Sequence, residues 1–424
     1  MTPSVGTVSG TAECPARGAR RSHGRIMIGG VGRLMPFELS IVERDRRWTL
    51  VQSEMARRNL DCLIIQGSYA AFRDANTSLQ HMTNVNDEGF LVFPIDAAPT
   101  LYTFENRLDP TWVADWRGGI PFFGKSIARR LVGQGLGSDR LGLVNSSGLR
   151  GEYGGFPHAT YASLREHLPS ATIEEATDIV EGVRQIKSHE EIRCLEIACA
   201  GARKAIEAVI RTARVGVEDI DVRAEVTDTP FRNDCDQGSM VLYCQGKGIL
   251  HGGQSGGFVG PAKRTLLEEG DISLIELDAT YRGYEAQYNL AFAIREPDER
   301  WRRLFECGAR AFRSGLAALR AGITLQKLKQ ALVQPIKDAG FTFANPVFHG
   351  LDLSLELPMG TCPRVGRYPD LSELVDAGMV LEFEPHPVTE NGKRGVGIGC
   401  PILLTEDGCR PLDAPYSPGT PVLS

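Results

Sequence analysis

Gly378-Met379-Val380-Leu381-Glu382-Phe383-Glu384-Pro385 is a mostly apolar run that reads as a strand. A second strand signal, Ile402-Leu403-Leu404-Thr405-Glu406-Asp407-Gly408, follows a turn-rich stretch at Asn391-Gly392. An unpaired carboxylate buried in such a strand is costly, so Glu384 reads as a functional group rather than as filler. Glu276 is embedded in the same way, in Leu274-Ile275-Glu276-Leu277, and is hard to explain as part of a solvated face.

Working outward, strand-like runs lie at Met240 to Tyr243, Ile272 to Leu277 and Leu290 to Ile294, and an amphipathic helix spans about Glu299 to Leu319. Upstream, Ser188-His189-Glu190-Glu191 is a capping box. The helix it opens carries Ile192, Leu195, Ala198, Ala202, Ala205, Ile206 and Val209 at a period of about 3.6 residues. The N-terminal half alternates helix and strand signals. It has an amphipathic helix from Ile41 to Leu60 with apolar positions Ile41, Trp48, Leu50, Val51 and Met55. Strands follow at residues 61–67, 89–94, 100–103 and 141–144, with a helix from Tyr161 to His167. The expected organisation is a disordered tail over residues 1–35, an α/β domain over 36–183 and a second domain over 184–424. The tail is Gly-, Ser- and Arg-rich with Glu13 its one acidic residue. The pair Arg20-Arg21 is followed by too short an apolar stretch for a twin-arginine signal.

The chain has 424 residues, 42% apolar and 24% charged, with a formal net charge of −6. These values are globular. The acidic balance, without a basic stripe, argues against a nucleic-acid partner. No apolar run approaches the roughly 20 residues of a bilayer span, so no membrane partner is expected. Ten cysteines are scattered singly, without a CxxC pair. They read as reduced thiols in a cytoplasmic protein.

Several spaced features resemble the pita-bread family of creatinase, aminopeptidase P and prolidase. Val183-Arg184-Gln185-Ile186-Lys187-Ser188-His189-Glu190-Glu191-Ile192 is similar to the entry into its catalytic domain. Gly270 to Glu276 with Tyr281-Arg282-Gly283-Tyr284 resembles its first metal-binding hairpin, and Phe348-His349-Gly350 with Leu357-Pro358 its histidine motif. Gly378 to Pro385 resembles its glutamate motif, and Leu403 to Gly408 its last strand and turn. The resemblance implies an α/β (α+β) fold: a creatinase-type N-terminal α/β domain followed by a pita-bread C-terminal catalytic domain.

The family's metallopeptidases hold two divalent metals with two Asp, one His and two Glu. Those positions fall here on Glu276, Gln287, His349, Glu384 and Gly399. Two ligands are retained, one is a longer carboxylate and two are lost, which makes a two-metal mechanism improbable. Asp278 reads either as a substitute for the first ligand or as a turn cap. Creatinase, on the same fold, cleaves a C–N bond without metal. Its catalytic histidine lies before the hairpin, in the region of His251.

With these departures the resemblance implies a metal-independent creatinase-like hydrolase cleaving a C–N bond of a small polar substrate. His251, His349 and Glu384 are its expected catalytic residues, with His251 shuttling a proton. Glu276, Gln287, Asn289 and Cys400 are its expected substrate-binding residues. No metal ligand set and no cofactor is expected, a single residual divalent ion being left open. The alternatives are an Xaa-Pro dipeptidase or aminopeptidase-type metallopeptidase with one metal held by Glu276, His349 and Glu384, a lyase on the same fold, or a non-catalytic binding module. The family also implies a homodimer.

Overall fold

The computed structural model describes residues 38–67, 77–104, 112–145, 155–245, 264–344, 346–353, 355–359, 370–413 and 422–423, with side chains omitted at 237–245, 355–357, 359 and 422. The expected tail over residues 1–35 and His251 lie outside them.

Helix α1 (Ile41–Arg58) begins where the Ser40 hydroxyl accepts from the Glu43 amide and ends at Asn59, which turns the chain at φ 55°. The apolar stripe expected here is only half right. Ile41 and Leu50 are 44% and 41% exposed, whereas Glu43 and Arg47 are buried with Val51 and Met55. These four are spaced by four residues and share one face. The charged pair is tolerated inside because it is matched. Arg47 donates to Glu43 Oε1 at 2.7 Å, to the His81 carbonyl at 2.8 Å and to the Tyr284 hydroxyl at 2.7 Å.

After α1 come β1 (Cys62–Gly67), α2 (Thr77–Thr83), β2 (Gly89–Pro94), β3 (Thr100–Thr103), β4 (Asp115–Arg117), α3 (Phe123–Gly133), β5 (Arg140–Val144), α4 (His158–His167), β6 (Thr172–Glu175) and α5 (Thr177–Gln185). The strands form a sheet in the order β4-β3-β2-β1-β5-β6. Strand β1 pairs antiparallel with β2 and parallel with β5. One core of this layer is Ile64, Val92 and Leu143 against Ile127, Leu131 and Leu164.

The second layer opens at Ser188, where the capping box forms: the hydroxyl accepts from the Glu191 amide and the Glu191 carboxylate from the Ser188 amide. It comprises α6 (His189–Thr212), α7 (Asp219–Arg232), β7 (Asp236–Gln245), β8 (Ile272–Tyr281), β9 (Tyr284–Ile294), α8 (Glu299–Ala318), α9 (Leu325–Asp338), β10 (Thr342–Ala344), β11 (Phe348–Leu351), β12 (Leu355–Met359), β13 (Val380–Phe383), β14 (His386–Val388), β15 (Ile398–Thr405), β16 (Gly408–Pro411) and β17 (Val422–Leu423). The main path of its large sheet runs β12-β11-β13-β15-β9-β8-β7, and β10 pairs with β14 apart from it. Helix α6 packs on β8 and β9, and α8 packs on β14 and β15. Among the described residues no helix is long and apolar enough to cross a membrane.

Buried charges join the two sheets. Glu191, besides capping α6, accepts from Tyr284 at 2.9 Å and from Arg46 at 2.8 Å, and lies 3.2 Å from Arg47. Arg184 at the end of α5 grips Asp352 with two bonds of 2.8 and 2.7 Å. Asp352 follows β11 directly and its carbonyl accepts from the Glu285 amide of β9 at 2.7 Å. Removing one partner of a buried pair leaves an uncompensated charge. Asp352→Leu is expected to cost about 3–5 kcal/mol in urea unfolding, with most of the loss recovered in the Arg184→Met/Asp352→Leu double variant.

His81 is fully buried, with neither ring nitrogen hydrogen-bonded and Glu191 3.6 Å from Nδ1. Burial, then the charges of Arg47, Arg184, Arg46 and Lys187, hold its pKa well below the usual value. The unfolded chain therefore takes up a proton below about pH 6.5 that the folded chain refuses, and stability falls as pH drops from there toward the folded pKa. His81→Gln is expected to flatten the decline of melting temperature with acidification over that window, measured by calorimetry.

Candidate functional site

Successive strand residues face opposite sides of a sheet, and residues opposite one another in an antiparallel pair share a side. Following the register across five strands picks out one polar face. Glu276 and Asp278 of β8 lie opposite Asn289 and Gln287 of β9. Asn289 lies opposite Gly399 of β15. Pro401, two residues along β15, lies opposite Glu382 of β13, and Glu382 lies opposite His349 of β11. Glu384 shares the face by alternation, its amide donating to the Val347 carbonyl at 3.1 Å. Further along β8 and β9 the same face carries Ile272, Leu274, Ala291 and Ala293, packed on Trp301, Leu304 and Phe305 of α8. The polar group thus continues into an apolar core that keeps water out.

Asp278, Gln287, Asn289, His349, Glu382 and Glu384 are all buried, while Glu276 is partly open. Gln287 Nε2 donates to Glu276 Oε1 at 3.1 Å, and Asn289 Nδ2 to Glu384 Oε2 at 3.3 Å. The other oxygen of Glu384 lies 3.5 Å from His349 Nε2. His349 Nδ1 lies 2.8 Å from the Gly350 carbonyl. A carbonyl only accepts, so Nδ1 carries a hydrogen, and Nε2 is the ring nitrogen directed at Glu384.

Of the residues singled out from the sequence, the fold brings Glu276, Gln287, Asn289, His349 and Glu384 together. His251 lies outside the described residues. Cys400 lies opposite Phe383 and so faces the other side of the sheet, near Cys199. Burial, then the Glu382 charge, pushes its thiol pKa well up, so it is inert as a nucleophile. Cys62, Cys194, Cys199, Cys235, Cys307, Cys400 and Cys409 are free. The sequence reading passed over Glu382. The signal was present, because in a strand Glu-Phe-Glu places both carboxylates on one face. Burial, then the Glu384 charge, pushes the Glu382 pKa well above the carboxylate range; Asn289 opposes this, and Asp278 and Glu276 add to it.

The donor set fits one hard divalent cation. It offers buried carboxylates and an imidazole whose far nitrogen is fixed by a backbone carbonyl, the usual support of a metal-binding histidine. Neutral Gln287 and Asn289 and bare Gly399 do not supply a second full set. Among the described residues, no three His, Cys, Asp or Glu side chains are drawn together closely enough to grip an ion as they stand.

A model of metallopeptidase family M24 matches residues 193–406. The Xaa-Pro dipeptidase of Pyrococcus furiosus is 26% identical over 273 residues, 64% of this chain and 75% of that protein. The uncharacterized peptidase YqhT of Bacillus subtilis is 27% identical over 283 residues, 66% of this chain and 74% of that one. An Xaa-Pro dipeptidase structure from Bacillus anthracis superposes with a TM-score of 0.72 at 19% identity, covering 90% of this chain and 100% of that one. The prolidase structure from Pyrococcus furiosus gives 0.68 at 21% identity, covering 85% and 98%. These likenesses support the expected pita-bread fold. They overturn two expectations, the metal-independent creatinase-like hydrolase and the absence of a cofactor, because the matched family is one of metallopeptidases. The substituted ligand positions lie on strands whose neighbours carry carboxylates of their own, as β13 does with Glu382 beside Gly399.

The amides have a structural share that can be measured separately. Asn289→Leu strips a donor from the buried Glu384 and is expected to destabilise the metal-free protein by about 1–3 kcal/mol in urea unfolding. Gln287→Leu is expected to cost less, because solvent reaches Glu276.

Proposed function

Because the chain belongs to metallopeptidase family M24, we propose that it is a metal-dependent dipeptidase of the Xaa-Pro type, hydrolysing the amide bond of a small peptide with one divalent cation. The observation that carries this reading is the buried His349–Glu384 pair on a face shared with Glu276, together with relatives named Xaa-Pro dipeptidases. Glu276, His349 and Glu384 would hold the cation. Once bound, it would serve as a Lewis acid toward the scissile carbonyl.

The chain's own groups do the rest. Asn289 fixes Glu384 Oε2 with its amide, which leaves Oε1, on the side of His349, to face the cation. Gln287 holds Glu276 in the same way from the neighbouring strand. The surrounding apolar face lowers the local dielectric and strengthens each of these contacts. The same reading makes residues 184–424 the catalytic domain and the protein a cytoplasmic homodimer.

Assay of the purified chain on Xaa-Pro dipeptides, with Mn²⁺, Co²⁺ or Zn²⁺ and after chelation, tests the proposal. Hydrolysis that disappears with chelator and returns with one of these ions is expected, with Xaa-Pro preferred over Xaa-Ala. Hydrolysis indifferent to chelator, or none with any ion, overturns it. Light scattering is expected to give twice the 46.3 kDa chain mass.

A further inference from the structure

The proposed function leaves two carboxylates of the polar face unused, Asp278 and Glu382, and the one opposite His349 is Glu382. It is fully buried, and neither carboxylate oxygen has a hydrogen-bond partner at bonding geometry. The amide of Asn289, which also acts to lower the Glu382 pKa, donates to Glu384. The carboxylate is closed off from bulk solvent, so its charge calls for a cation or its acid form for an acceptor.

The neighbouring strand is shaped around it. A Cβ on Gly399 would stand 2.5 Å from Glu382 Oε1 and 2.5 Å from the Phe383 carbonyl oxygen. Gly399 does not belong to the positive-φ glycines. Its backbone would accept any residue, and glycine is needed there for space alone. The space a side chain at 399 would enter is held jointly by the Glu382 carboxylate and the Phe383 carbonyl oxygen. On that same face lie Glu384, with its Oε1 3.5 Å from His349 Nε2, and across β15 from Glu382 lies Asn289.

From this geometry we infer that Glu382 is a ligand of the site's divalent cation, its carboxylate reaching from β13 over Gly399 to stand beside Glu384 and His349. The inference rests on the metallopeptidase reading and extends it. The ion is held by a carboxylate pair on alternate residues of one strand, and the bare glycine of the adjacent strand is the complement that makes room for it.

Co²⁺ binding to the full-length chain, followed by calorimetry and by the visible absorption of the bound ion, tests this without any turnover. Wild type is expected to bind one Co²⁺ per chain. Glu382→Gln keeps the shape and is expected to weaken binding by about 10–100-fold or more, with a changed Co²⁺ spectrum. Gly399→Ala retains every carboxylate, but its methyl would press on both Glu382 and the Phe383 carbonyl, and it is expected to weaken binding too. Glu382→Ala removes the carboxylate outright, is expected to weaken binding at least as much, and covers the case of a Glu382→Gln chain that fails to fold. Unchanged affinity and spectrum in whichever of these two Glu382 variants folds overturns the inference while leaving the metallopeptidase reading in place. Wild type that takes up no Co²⁺, Mn²⁺ or Zn²⁺ overturns both.

Discussion

The register of the β8–β9 hairpin is the constraint on which the polar face depends. Its two-residue turn has Arg282 at φ 53° and Gly283 at φ 82°, the mirror-image turn whose twist matches that of the flanking strands. Pairing then runs without a shift from Tyr281 opposite Tyr284 to Ile272 opposite Ala293. Because side chains alternate, a slip of one residue would send Glu276, Asp278, Gln287 and Asn289 to the side covered by α6 and bring Leu277 and Tyr288 in their place. Gly283 has a second duty. The Gln80 side chain of α2 lies against it and donates to the Arg282 carbonyl at 3.1 Å, so a side chain at 283 would collide with the first layer as well as strain the turn.

The N-terminal layer is thus a clamp on the hairpin as well as a neighbour. Arg47 bonds the Tyr284 hydroxyl next to the turn, Glu191 receives the same hydroxyl, and Arg184 holds Asp352, whose backbone bonds Glu285. Such buried ionic groups add little net stability against apolar replacements of the same size, but they are specific about geometry. Here they fix the end of β9 and the exit of β11, and these strands carry Asn289 and His349. A side chain that must stand within tenths of an ångström of a partner needs support of this kind.

Across the middle of the sheet the opposite problem is solved. Glu276, Asp278, Glu382 and Glu384 place like charges on one face, three of them fully sequestered. The neutral amides of Gln287 and Asn289 serve two of these carboxylates, Glu276 and Glu384, and the imidazole of His349 approaches the other oxygen of Glu384. Burial, then the Glu384 charge, raises the Glu382 pKa, and a cation on this face would offset both.

The sequence by itself determined the elements and most of the face. Periodicity marked α1, α6 and α8, the capping box located the start of α6, and apolar runs located β1, β2, β3, β8 and β13. Carboxylates inside apolar strands singled out Glu276 and Glu384 before any pairing was known, because a strand that is otherwise apolar has nowhere solvated to put them. Three things needed the tertiary structure. The buried face of α1 is charged, and only contact with Tyr284 and Glu191 makes burying Arg47 tolerable. Cys400 seemed to line the pocket by its place in the chain, yet pairing opposite Phe383 turns it away. Glu382 and Gly399 each look unremarkable alone. They are 17 positions apart in the chain, and their complementarity exists only because β13 and β15 pair in the register that sets Pro401 opposite Glu382. Chain order specifies side-chain type and local alternation. Which side chain fills the space above a neighbouring strand is decided by inter-strand registry, a non-local property of the folded sheet.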